Sequence, residues 1–112
     1  MSHIVIHPSK ALWLVHAAGA QIARSNAAVE LAEGSYGPVP YLPCADVAME
    51  LLERSAKQTT CPFKGIASYF HIVTPAGRLE NAVWSYEAPK QSVVAIAGHL
   101  AFYPNLVAIS RG

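Results

Sequence analysis

Ile66-Ala67-Ser68-Tyr69-Phe70-His71-Ile72-Val73, then Thr74-Pro75-Ala76-Gly77, then Arg78-Leu79-Glu80-Asn81-Ala82-Val83-Trp84-Ser85-Tyr86 is the stretch that decides the fold class. The first run is rich in β-branched and aromatic residues, which suit a pleated surface, and the next four are turn formers. The third run therefore returns as the antiparallel partner of the first. Trp84 and Tyr86 are two residues apart, so they share one face of that strand.

Upstream, Thr59 to Gly65 reads as a loop around Cys61-Pro62. Val47 to Leu52 reads as a short helix of about residues 46–53, with Asp46 as its N-cap or a start two residues earlier set by Pro43. Val39 to Pro43 can be extended, but its two prolines lack N–H donors and confine it to a sheet edge or a bulge. Gly34 to Pro38 is a turn. Ala28 to Glu33, Gln21 to Ser25, Ala11 to Val15 and His3 to His7 read as strands, with a glycine-centred hairpin at Ala17-Ala18-Gly19.

Downstream, Pro89 opens a second short helix of about residues 89–98. Its apolar face is Val93, Val94, Ile96, Ala97 and Leu100, and Gly98 weakens its end. Pro104-Asn105 turns the chain into a last strand, Leu106 to Ile109. Strands outnumber helices, and 112 residues suffice for one domain with a single core.

Hydrophobic residues make up 53% of the chain and charged residues only 13%, which leaves few charges to cover the surface. A homodimer is the simplest expected cover for the remaining apolar area. The net charge of +1, with eight scattered Lys and Arg residues, supplies no basic stripe, so no nucleic acid is expected as partner. The run Ala11 to Ala20 resembles the apolar region of a signal peptide, but His16 interrupts it and it reads as strand and turn. No apolar run is long enough to cross a bilayer, so no membrane association is expected. Cys44 and Cys61 form no Cys-x-x-Cys pair and no disulfide framework, which fits a reducing, cytoplasmic setting.

Chemistry concentrates between Thr59 and His71. Cys61 is a candidate nucleophile whose thiolate Lys64, three residues on, would favour; the structural alternative is a small buried residue before a proline turn. Lys64 with Gly65 can hold an anion through the ammonium and turn N–H groups, or Lys64 is simply solvated. His99, after Gly98, is a candidate general base or acid, or a histidine tied to a backbone carbonyl. Tyr69, Trp84, Tyr86 and Tyr103 can line a pocket, since aromatics combine apolar faces with polar tips, or they pack the core. Glu87 is a candidate acid, an anchor for Lys64, or a charge favouring the start of the second helix. His3, His7, His16 and His71 lack metal-ligand spacing, so no metal site is expected.

The run Ser35-Tyr36-Gly37-Pro38-Val39-Pro40-Tyr41-Leu42-Pro43, followed by Asp46-Val47 and Leu51-Leu52-Glu53-Arg54-Ser55, resembles the domain of unknown function 427 family. Four more blocks agree: Cys61-Pro62-Phe63-Lys64-Gly65 with Ala67-Ser68-Tyr69; Glu80 to Glu87 with Pro89; Ala95-Ile96-Ala97-Gly98-His99; and Ala101-Phe102-Tyr103-Pro104. The resemblance runs from about His3 to Ile109. It implies a compact, mainly β domain of the Mss4-like or β-tent kind, with two antiparallel sheets and two short helices. Such relatives often hold zinc on paired Cys-x-x-Cys knuckles, which this chain lacks, so no cofactor is carried over. The family is sometimes labelled nucleotidyltransferase. That chemistry needs paired aspartates for its metals after a Gly-Ser turn, whereas here Gly34-Ser35 is followed only by Asp46, the sole aspartate. The expectation is a small-molecule-binding β domain, either a simple binder or an enzyme, with its pocket by the Cys-Pro-Phe-Lys-Gly loop. The alternative is a structural or interaction module.

Overall fold

The computed structural model describes residues 3–112. The chain runs through β1 (Ile4–Pro8), β2 (Trp13–Ala17), β3 (Ala20–Ser25), β4 (Val29–Glu33), β5 (Val39–Pro43), β6 (Leu52–Cys61), β7 (Gly65–Thr74), β8 (Gly77–Ser85), β9 (His99–Phe102) and β10 (Ala108–Arg111). They form two antiparallel sheets, one of seven strands in the order β1-β4-β5-β9-β8-β7-β6 and one of three in the order β10-β2-β3. The fold is mainly β, as expected.

The small sheet covers one face of the large one. Trp13, Val15 and Ile22 from the small sheet share a buried cluster with Leu42, Phe70, Ile72, Val83, Leu100 and Phe102 from the large. Period-2 alternation sends the intervening residues to the opposite face. There Tyr41, Tyr69, Tyr86 and Ala101 form a second cluster with Leu31, Val93 and Ile96. The large sheet is thus buried on both faces at its centre, and the second face carries the aromatic residues.

The hairpin over residues 66–86 forms with the turn at Thr74–Gly77, where Ala76 N–H donates to Thr74 Oγ1. A bulge interrupts it between Phe70 and Ile72. His71 Nδ1 accepts the Asn81 N–H at 3.0 Å, and Asn81 takes a φ of 53°, a region that Asn tolerates better than most residues. The bulge shifts the register of the hairpin, and the Asn81 N–H that it takes out of the ladder is satisfied by His71.

Several local expectations change. The loop expected over Thr59 to Gly65 is shorter: Thr59, Thr60 and Cys61 complete β6, leaving Pro62 to Lys64 as the turn. The helix expected over residues 46–53 is two single 3-10 turns, Cys44–Asp46 and Met49–Leu51, and Leu52 already pairs with Ile72. The helix expected over residues 89–98 is a kinked 3-10 segment, Gln91–Ile96. Its buried residues, Val93 and Ile96, are three apart, which is the 3-10 repeat as well as an α-helical spacing. Leu100, read as part of that helix, lies in β9. The last strand begins two residues later than expected because Leu106 and Val107 bond back to the Tyr103 carbonyl.

β5 corrects the reading of its prolines. It lies inside the sheet, not at an edge. Residues 39–41 pair with β4, whereas Leu42 and Pro43 pair with β9, so no residue of β5 is paired on both sides. Pro40 and Pro43 can each leave their missing donor on the open side.

Candidate functional site

A cleft of about 290 Å³ opens on the aromatic face of the large sheet. Its floor is Leu31 from β4, Val39 and Tyr41 from β5, Trp84 and Tyr86 from β8 and its end, Tyr69 from β7 and Tyr103 beyond β9. Tyr36 and Gly37, between β4 and β5, line one side, and Lys64, in the β6–β7 turn, lines another with Glu33. The chain has five tyrosines, and all five line this one cleft beside Trp84.

The rings are ordered by direct contacts. Trp84 Nε1–H donates to the Tyr41 hydroxyl at 3.1 Å, and the two rings meet edge to face with centroids 6.2 Å apart. Trp84 and Tyr103 have centroids 4.5 Å apart at a 46° tilt. The Tyr69 hydroxyl bonds Thr59 Oγ1 at 2.9 Å, and Lys57 Nζ lies 4.6 Å from the Tyr69 ring centroid. Tyr36 is different: 80% exposed, it stands at the cleft mouth as a largely uncovered aromatic face.

Lys64 is the cleft's cation and is only 8% exposed. Its Nζ donates to Glu33 Oε1 at 2.6 Å and lies 5.8 Å from the Tyr86 ring centroid. Burial by itself would lower the Lys64 ammonium, but the hydrogen bond to Glu33, with electrostatic interactions with Cys61, Glu33 and Tyr41, outweighs it and raises the pKa. Lys64 therefore stays charged. The tyrosines stay neutral for the opposite reason. Burial raises Tyr86 strongly and also raises Tyr41, although the bond from Trp84 offsets part of the latter. Burial, then the neighbouring Tyr69 hydroxyl, pushes Tyr103 up to about 12.

Lys64, Tyr69, Trp84, Tyr86 and Tyr103, singled out from the sequence, meet in the cleft; Cys61, Gly65, Glu87 and His99 do not line it. Cys61 is half-buried at the end of β6, packed against the aromatic cluster. His99 lies on β9, with β8 and β7 between it and the strand of Cys61, and its Nδ1 is 3.0 Å from the Ala97 carbonyl oxygen. Gly65 has a φ of 113° and lets Pro89 and Lys90 approach, with Lys90 N–H donating to the Lys64 carbonyl at 2.9 Å. The Lys64 N–H is taken by the Cys61 carbonyl.

Glu87 does not anchor Lys64. It forms a two-point ion pair with Arg54 at 3.1 and 2.8 Å, and that hydrogen bonding holds its carboxyl below the ordinary value. The 3-10 segment that follows has no side-chain cap. Glu33, Tyr36 and Tyr41 were missed as site residues. Tyr36 and Tyr41 lie two and seven residues beyond Gly34, within the Ser35–Pro43 block, and Tyr41 is one of the alternating residues of β5.

Fold and cleft together define a small antiparallel β domain with an aromatic cleft spanned by an internal ion pair. The chain belongs to the family described as Domain of unknown function (DUF427), whose model matches residues 5–111. No match to a curated protein was found. Among the described residues, no helix is long and apolar enough to cross a membrane, and no group of three or more His, Cys, Asp or Glu side chains is arranged to hold a metal ion.

Proposed function

We propose that this domain binds a small, flat, mainly apolar molecule in the aromatic cleft. The gathering of all five tyrosines and Trp84 around one cleft carries the reading. Aromatic faces supply contact area with little side-chain entropy to lose, and their polar tips set orientation. At about 290 Å³ the cleft falls near the lower end of the volumes typical of ligand pockets, so the occupant is the size of one or two fused rings. Binding rather than covalent catalysis is favoured because Cys61 and His99 lie outside the lining.

A screen of one-ring and two-ring aromatic fragments tests this, read through the indole N–H resonance of Trp84. Gly37→Trp is the blocking control: Gly37 lines the cleft, and a Cβ there meets nothing within 4 Å. Fragments that shift Trp84 in the native chain and not in Gly37→Trp support the reading. If none shifts it, the reading is wrong.

A second reading, a homodimeric interaction module, draws on the exposed Phe63, Ile66, Val73 and Val94. Sedimentation equilibrium showing a monomer at high micromolar concentration removes it.

A further inference from the structure

Resting on the reading of the cleft as a binding site, we propose that its ligand is a neutral planar carbonyl compound, with the carbonyl oxygen held by the Tyr86 hydroxyl. Tyr86 is only 7% exposed, yet its hydroxyl has no hydrogen-bond partner among the described residues. No buried side-chain nitrogen or oxygen among those residues lacks a partner, so this hydroxyl is open to the cleft it lines. A second donor lies in the floor. The Tyr41 oxygen accepts from Trp84 Nε1, which leaves the Tyr41 O–H proton without a protein acceptor among those residues. Unmet donors in an apolar surrounding favour a ligand that brings an acceptor.

Charge narrows the choice to a neutral acceptor. A carboxylate would have to share Lys64 with Glu33, which already sits 2.6 Å from its Nζ. An organic cation would find Lys64 itself near the Tyr86 ring, 5.8 Å from the centroid, and like charge would repel it. A ketone, enone or cyclic amide matches both constraints, since its oxygen accepts a proton donor without importing charge. Burial keeps both hydroxyls protonated and able to donate at neutral pH.

The test uses three probes of one size: 2-acetylnaphthalene, 2-ethylnaphthalene and 2-naphthoate. Affinity is measured by titrating the Trp84 indole resonance. The ketone is expected to bind on the order of fivefold more tightly than the hydrocarbon, as one net hydrogen bond implies. Tyr86→Phe should abolish that preference, and an amide spectrum with native dispersion shows that the variant is folded. Tyr41→Phe should reduce the preference in part. Equal binding of ketone and hydrocarbon to the native chain would overturn the carbonyl proposal but leave an apolar cleft standing. Tightest binding by 2-naphthoate would overturn the neutral class. Failure of all three to shift Trp84 would overturn the binding reading and this proposal together.

Discussion

Lys64 Nζ and Glu33 Oε1 meet at 2.6 Å, although β4, which ends at Glu33, and β7, which follows Lys64, are separated in the sheet by β5, β9 and β8. Flat strands about 4.8 Å apart would hold them far beyond side-chain reach. Sheet curvature and the reach of the lysine stem together close that gap. The aromatic face is the concave side of this curve.

Removing one member of the pair should therefore do more than the loss of a surface ion pair. The side chains are 11% and 26% exposed, between the fully buried and solvated cases. Lys64→Met is expected to destabilise the fold by about 1–3 kcal/mol, with Glu33→Gln somewhat less. Urea denaturation measures both. A change under about 0.5 kcal/mol in Lys64→Met would show that the pair does not support the curve.

Alkaline pH should weaken the fold through the same cleft. In the unfolded chain the tyrosines release protons near 10.0 and Lys64 near 10.5, whereas Tyr41, Tyr86, Tyr103 and Lys64 all have raised values in the native state. Their contribution is fully present below the unfolded values and is lost as pH rises through the native ones. Denaturation midpoints should hold steady to about pH 9.5 and fall toward Tyr103's value of about 12. Tyr86→Phe should make the fall shallower. An unchanged slope in that variant would remove Tyr86 from the account.

Gly65 and Gly37 should respond differently to alanine. Gly65 has a φ of 113°, which strains any side chain, and its Cβ would lie 3.5 Å from Pro89 Cα. Gly65→Ala is expected to lower stability by about 1–2 kcal/mol and to disturb the Lys64 turn. Gly37→Ala meets open space and should be close to neutral. Thermal melting of the two variants makes the comparison, and equal shifts would contradict it.

The two cysteines should separate kinetically. Cys44 is exposed and Cys61 half-buried, so a thiol reagent should label Cys44 first in the native chain. Cys44→Ser should leave only the slower phase. A fast phase persisting in that variant would mark Cys61 as an activated thiol and reopen its candidacy as a nucleophile.

The hairpin over residues 66–86 was legible because its alternation and turn residues agree with its ladder. β6 was not. Its sequence, Leu-Glu-Arg-Ser-Ala-Lys-Gln-Thr-Thr-Cys, is polar and mostly exposed, as suits an edge strand that must resist pairing with other chains. β9 was hidden because Val93, Ile96 and Leu100 fit a helical stripe; Gly98, with a φ of 69°, is where the chain leaves the 3-10 segment for the sheet. The aromatic candidates came together because Trp84 and Tyr86 alternate on one strand and Tyr69 faces the same side of its neighbour. Glu33 was out of reach, since its meeting with Lys64 depends on sheet order and curvature, which no local pattern encodes.

Strand order also bears on how the molecule assembles. β6, β7 and β8 pair as a local meander, and β4 pairs with β5 across a short turn. Among the described residues the backbone ladder joins the two groups through β9, which pairs with β8 and meets β5 where Leu42 faces Leu100 and Pro43 faces His99. That seam closes a loop spanning half the chain, so its entropy loss comes before the contacts that compensate it. Until it forms, Tyr41 and Trp84 belong to separate pieces of structure. The cleft is therefore a product of the slow, non-local part of folding, and mutations at the seam should delay its appearance more than they disturb either half.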